Sequence, residues 1–131
     1  MNSIEIFAGA GGLGMGITAA GFKHLAIVER DKDCCETIRR NAHVSLVKNW
    51  PLLEGDIRKF SFSEFADRVA LVAGGPPCQP FSLGGKHRGP QDERDMFPEA
   101  ARVVRETRPQ AFLFENVIPK RKVANVHDLD K

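Results

Sequence analysis

Cysteine is scarce in this chain of 131 residues, occurring only at Cys34, Cys35 and Cys78. An odd count with an adjacent pair does not build a disulfide framework, so a cross-linked secreted scaffold is excluded. A reducing cytoplasm is the expected compartment. Long apolar runs are also missing. None approaches the roughly 18 residues that cross a bilayer, and Met1-Asn2-Ser3-Ile4-Glu5 lacks the basic stretch and apolar core of a signal peptide. Excess charge is a third absence. Nineteen Lys and Arg against seventeen Asp and Glu leave +2, too little to hold nucleic acid by bulk charge alone. There is no internal repeat. What remains is a globular balance, 42% hydrophobic and 27% charged, in a length that fits one domain. A core of this size buries about two-thirds of the unfolded surface, so independent folding has little margin.

Short apolar runs alternate with helix-like segments. Strands are expected at Ser3–Phe7, Leu25–Val28, around Leu52-Leu53, at Val69–Ala73 and at Ala111–Phe114. The run Val69-Ala70-Leu71-Val72-Ala73 is nearly continuous, as in a strand covered on both faces. Helices are expected from Met15 to Gly21, from a cap at Asp31 or Asp33 to about Asn41, and from Met96 to Glu106, with a helical turn within Phe60–Phe65. Cys34, Ile38 and Ala42 share one face of the second helix, so Cys34 and Cys35 read as packing residues. This alternation predicts βαβ units and a doubly wound, mostly parallel α/β sheet. Leu83–Gln91, with four Gly and Pro residues around Lys86-His87-Arg88, reads as a mobile basic loop. The polar stretch 118–131 reads as a tail, either disordered or docked on a partner.

Three constellations carry chemistry. Gly9-Ala10-Gly11-Gly12-Leu13-Gly14 fits G-x-G-x-x-G between a strand and a helix, where glycines permit close ligand approach and the helix offers free N–H groups. Glu29, ending the second strand, is placed to accept hydrogen bonds from both hydroxyls of a ribose. Together they predict a nucleoside-containing cofactor, with NAD and S-adenosylmethionine equally served. The second is Gly74-Gly75-Pro76-Pro77-Cys78-Gln79-Pro80-Phe81-Ser82, following the fourth strand. Three prolines fix the backbone around Cys78, which suits a positioned nucleophile better than an inert core thiol. The third is Glu115-Asn116-Val117, which brings a carboxyl to the same sheet edge. Following Phe112-Leu113-Phe114, Glu115 is expected to be partly desolvated and suited to proton donation near neutral pH.

These residues carry a resemblance. Phe7-Ala8-Gly9-Ala10-Gly11-Gly12-Leu13, Glu29, Gly55-Asp56-Ile57, Gly75 through Ser82, Asp92-Glu93-Arg94-Asp95-Met96-Phe97 and Glu115-Asn116-Val117, in that order, resemble the amino-terminal motifs of the cytosine-C5 DNA methyltransferases. The match runs from about Ile4 to Val117. It implies a Rossmann-like fold of the S-adenosylmethionine-dependent methyltransferase type, with residues 1–117 as the cofactor-binding and catalytic region. It implies methyl transfer to C5 of a cytosine flipped from double-stranded DNA, with Cys78 adding to C6 and Glu115 bonding N3. The resemblance places Phe7 and Ile57 against the adenine, Asp56 on its amino group and Glu29 on the ribose. Ala8, Gly9, Gly11, Gly12, Leu13 and Pro77 line the cofactor, and Ser82, Lys86 and Arg88, with His87 beside them, meet DNA from the mobile loop. No metal is implied.

The chain also departs from that family. Nothing after Val117 resembles the family's last strands, its Q-x-R-x-R segment, its target-recognition region or its closing helix. About five strands are therefore expected, the fifth left as an exposed apolar edge. Three readings stand: a catalytic fragment or split subunit completed by another chain, an inactive truncated relic, or a nucleotide-binding or thiol redox domain using NAD.

Overall fold

In the computed structural model, which describes residues 1–77 and 95–116, the alternation of strands and helices builds one sheet. The elements are β1 (Asn2–Ile6), α1 (Gly12–Ala19), β2 (Lys23–Glu29), α2 (Lys32–Arg40), β3 (Leu52–Glu54), β4 (Leu71–Gly74), α3 (Phe97–Thr107) and β5 (Ala111–Phe114). A short 3-10 turn at Ser63–Phe65 stands within the stretch where a helical turn is expected, and a second at Ile57–Lys59 precedes it. The strand order is β3-β2-β1-β4-β5 and every pairing is parallel. The chain thus winds outward from β1 to β3, then crosses to the other side of β1 for β4 and β5. That reversal opens a crevice at the carboxyl ends of β1 and β4, the usual ligand position in such sheets.

Alternation along the strands divides the core into two layers. Ile4 lies level with Ala26 and Val72, and Ile6 with Val28. Together with Ile57, Phe62, Met96, Ala100 and Val103 they form the larger layer, under α3. Burying Ile4, Ile6 or Phe62 outright, as here, stabilises by about 1.5–3 kcal/mol each relative to exposure. The opposite layer is smaller: Ala8, Ile27, Ile38 and Val47, with Trp50 packed against them. Arg102 ties α3 to the first layer's loops. It pairs with Glu99 and Glu106 on its own helix and donates to the carbonyls of Ile57 and Phe60.

Several boundaries differ from expectation for physical reasons. Helix α1 begins at Gly12 and not Met15, because Gly11 adopts a left-handed φ of 92° and turns the chain straight into the helix. Asp31 is the α2 cap, accepting from the Cys34 backbone N–H at 2.9 Å. With the helix starting there, the buried pair is Cys35 and Ile38, Cys34 is only partly covered, and Ala42 lies beyond the helix end. Strand β5 has the expected bounds and is uncovered: Phe112 is 63% exposed and Leu113 50%. Among the described residues no helix is long and apolar enough to cross a membrane. The expected tail at 118–131 and the basic loop at 83–91 lie outside the described residues.

The bare face of β5 generates a prediction. Leu113→Lys should leave the unfolding free energy within about 0.5 kcal/mol, as an exposed substitution does, while reducing concentration-dependent association of the chain. Sedimentation velocity measures the second effect, and an unchanged association profile would exclude Leu113 as the sticking surface.

Candidate functional site

A cleft of about 150 Å³ opens at the carboxyl ends of β1 to β4. Phe7 and Gly9 enter from the turn after β1, and Val28, Glu29 and Arg30 from the end of β2. Gly55, Asp56 and Ile57 come from the turn after β3, Gly75 and Pro77 from the exit of β4, and Met96 from the start of α3. Phe7 has a φ of 56°, a left-handed conformation uncommon for a bulky residue and typical of functional turns. No pattern in the sequence signals it.

Glu29 knits the strand ends together. Its Oε2 accepts from the Gly9 backbone N–H at 2.7 Å, and its Oε1 accepts from the N–H groups of Arg30 and Asp31 at 2.8 and 2.7 Å. A carboxylate has about four acceptor positions, so about one is left, on Oε2. Any ribose contact of the kind expected at Glu29 has to share the carboxylate with these three backbone donors. Asp56 is similarly engaged. It caps the turn at Ile57–Lys59 through the Arg58 N–H and holds the Arg58 guanidinium with both oxygens, at 2.5 to 3.1 Å. Those Arg58 bonds pull its carboxyl down to about 2. A ligand amino group reaching Asp56 has to compete with that guanidinium.

Of the residues expected around a cofactor, Phe7, Gly9, Glu29, Asp56, Ile57 and Pro77 come together at the cleft. Ala8, Gly11, Gly12 and Leu13 do not. Ala8 turns into the smaller core layer, its N–H donating to the Val28 carbonyl. Gly11 is buried, Gly12 is exposed and Leu13 lies half-buried in α1, all off the cleft. Arg30 is a cleft residue outside every motif of the family resemblance, and Met96 falls within the Asp92–Phe97 segment, to which the resemblance assigns no cofactor role. Cys78, Ser82, Lys86, His87 and Arg88 lie outside the described residues, although Pro77, the residue before Cys78, is a cleft wall.

Glu115 stands where β5 ends. Its N–H donates to the Gly74 carbonyl at 3.0 Å, and its carboxylate reaches over Gly75 so closely that a Cβ there would collide with Oε1. The side chain is exposed. Among the described residues the expected partial desolvation is not found, because Phe112 and Leu113 are themselves exposed and bring no cover to the strand end.

Beneath the glycine turn lies a polar layer. Glu5, in the middle of β1, is wholly buried with neither carboxyl oxygen hydrogen-bonded. Burial pushes its carboxyl up to about 7, the nearby Gly14 backbone opposing and the charge of Glu29 adding to the shift. His24 is also buried, its Nδ1 3.1 Å from the Ser3 hydroxyl and its Nε2 3.2 Å from the Gly14 carbonyl. A carbonyl only accepts, so Nε2 carries the proton and Nδ1 accepts from Ser3. Burial lowers the pKa of this imidazole and keeps it neutral. Among the described residues no group of three or more His, Cys, Asp or Glu is placed to hold a metal ion.

The geometry has clear counterparts in known proteins. The family model for C-5 cytosine-specific DNA methylase matches residues 1–128. The chain belongs to this family. It is 48% identical over 115 residues to the Type II methyltransferase M.NgoMIV of Neisseria gonorrhoeae, covering 88% of this chain and 35% of that protein. Its structure superposes with a TM-score of 0.69 and 28% identity on an E. coli prophage-encoded protein described as a DNA modification methyltransferase. That match covers 93% of this chain and 34% of the other. The fold is shared more widely, with a TM-score of 0.56 and 18% identity to the glycopeptide N-methyltransferase MtfA complexed with S-adenosylmethionine, over 86% of this chain and 46% of that one. The sheet is thus that of the S-adenosylmethionine-dependent methyltransferases. The chain spans only about a third of the M.NgoMIV sequence.

Glu5 gives this family member a testable pH dependence. Its carboxyl titrates near 4.5 when unfolded and near 7 when folded. Raising the pH between those values removes the proton from the unfolded chain first and favours unfolding. Stability from the neutral carboxyl is complete below 4.5 and lost as pH passes 7. Between these limits the wild type should lose about 3 kcal/mol more than Glu5→Gln. His24, charging in the unfolded chain as pH falls, acts the opposite way in both proteins and cancels in the comparison. Denaturant titrations across this range measure it, and parallel stability curves would refute the assignment.

Proposed function

We propose that this chain is the amino-terminal catalytic region of a DNA (cytosine-5-)-methyltransferase, a fragment or split subunit that needs further polypeptide for activity. Gly75 carries the reading. At this one position the cleft wall, the Glu115 carboxylate and the segment leading through Pro76-Pro77 to Cys78 meet. Family membership supplies the reaction class.

The residues present fit S-adenosylmethionine. Gly9 presents open space where a side chain would stand, and Phe7 and Ile57 offer apolar walls for a planar base. Glu29 keeps an Oε2 position for one ribose hydroxyl. When bound, the cofactor supplies an electrophilic methyl group. The chain's own residues prepare the acceptor. The Cys78 thiolate adds its electron pair to C6 of a flipped cytosine, and the displaced ring electrons make C5 nucleophilic. Glu115 holds the proton at N3 and so stabilises the adduct. Once C5 is methylated, loss of its proton returns the electrons to the ring and expels Cys78 as thiolate. Ser82, Lys86 and Arg88 meet the DNA backbone. Target recognition and the cover for β5 come from the complementing region, consistent with the small net charge of +2.

Covalent trapping on duplex DNA containing 5-fluorocytosine, with S-adenosylmethionine, tests the proposal. The chain alone should form no adduct. Supplied in trans with the carboxy-terminal region of a related enzyme, it should form a denaturation-resistant adduct that Cys78→Ala abolishes. Glu115→Gln should slow turnover by about 100-fold or more, as loss of a general acid does. An adduct surviving Cys78→Ala would overturn the nucleophile, one formed by the chain alone would overturn the need for completion, and failure of the complex to bind S-adenosylmethionine would overturn the cofactor.

A further inference from the structure

The glycines of the first turn divide into two pairs. A Cβ added at Gly9 or Gly12 meets nothing within 4 Å. One added at Gly11 would lie 2.8 Å from Trp50 Cζ3, and one at Gly14 would lie 2.8 Å from Trp50 Cη2, with the Glu5 carboxylate closer still. The Gly11 and Gly14 positions therefore lack side chains to admit an indole from the protein itself. Trp50 does not border the cleft. It comes from the segment before β3, where the Trp50 N–H donates to the Val47 carbonyl and Asn49 takes a φ of 61°. On its other side the indole meets the His24 ring edge-on, with centroids 5.1 Å apart and planes at 74°. His24 is itself anchored to Ser3 and to the Gly14 carbonyl.

Helix α1 has little else to hold its start. It has eight residues, no side-chain cap and no acidic residue in its first turn, and it buries only Gly14 and Ile17. Isolated helices of that length are unstable in water, and Gly11 at φ 92° gains no rigidity from a side chain of its own.

We infer that Trp50 is a positioning residue for the cleft. By packing its indole into the Gly11–Gly14 groove it holds the turn that carries Gly9, and so sets cofactor affinity without touching the cofactor. The affinity part rests on the cofactor reading above, whereas the hold on the turn does not. The Gly11 and Met15 amides report the turn directly, since they donate to the carbonyls of Ala8 and Gly11 at 3.0 Å.

The experiment compares wild type, Trp50→Phe, Trp50→Leu and Trp50→Ala by amide hydrogen exchange. Affinity for S-adenosylmethionine is measured by calorimetry on the complemented complex. Trp50→Ala should speed exchange at Gly11 and Met15 by about tenfold or more while leaving the β4 amides unchanged. It should also weaken S-adenosylmethionine about tenfold. Trp50→Phe, which keeps a flat ring over the glycines, should restore both, and Trp50→Leu should not. Trp50 is the only tryptophan of this chain, which has no tyrosine. With a complementing region whose tryptophans and tyrosines are replaced by phenylalanine, a saturable change in emission on adding S-adenosylmethionine should therefore follow the calorimetric curve.

Equal acceleration at every amide, or none at Gly11 and Met15, would overturn the inference. If Trp50→Ala does not fold, Leu and Phe variants with the same turn exchange would overturn it. A wild-type complex that binds S-adenosylmethionine without any emission change would do the same. A wild-type complex that does not bind overturns the cofactor reading, and with it the affinity part. The exchange rates still decide whether Trp50 holds the turn.

Discussion

Strand β1 is hydrogen-bonded along both edges, to β2 and to β4, and its side chains are buried on both faces. A central parallel strand leaves the chain no choice but to leave it toward one side and later return on the other. The crevice is the space left by that reversal, and everything that lines it sits at a strand's carboxyl end. The requirement also explains β1's composition. Ile4 and Ile6 fill the layer under α3, while Ser3 and Glu5, facing the other way, must be accommodated beneath the glycine turn. The buried polar layer of Ser3, Glu5 and His24 is thus a consequence of where β1 stands.

Electrostatics then separates three carboxyl groups that look alike in composition. Glu5 is buried without a hydrogen-bond partner, so its neutral form is favoured into the neutral pH range. Asp56 is held by Arg58, and its charge is secured well below that range. Glu29 spends most of its acceptor capacity on the backbone at Gly9, Arg30 and Asp31, which joins the ends of two strands. A sheet edge that holds itself together with its own cleft residues is stiff there, which favours a preformed cleft.

Much of the fold was legible because burial on both faces writes itself into composition. Val69–Ala73 is apolar throughout, and β4 forms over Leu71–Gly74, two residues later at its start and one at its end, between β1 and β5. Ala111–Phe114 has the same character for a different outcome: the strand forms with the expected bounds, yet only Phe114 packs on the core, and Phe112 and Leu113 stay exposed. Hydrophobicity reports the capacity to be covered and says nothing of whether a cover is present. For the same reason the desolvation expected at Glu115 was not found. The helix stripe misjudged at Cys34 shows a smaller limit. The cap falls at Asp31 as expected, yet the face turned to the sheet carries Cys35 with Ile38, which only the packing of α2 decides.

By itself the sequence determined the order of strands and helices, the placing of Glu29, Asp56 and Glu115 at one edge, and a family pattern spanning most of the chain. These follow from local periodicity and from spacings that can be counted. Only the tertiary structure decided which glycines of the first turn face open space and which receive Trp50, that Phe7 turns through a left-handed conformation, and that Arg58 already occupies Asp56. It also decided that Glu5 is buried without a partner. Each of these depends on groups brought together only by packing, and on the removal of water around them, neither of which leaves a mark on the neighbouring residues of the chain.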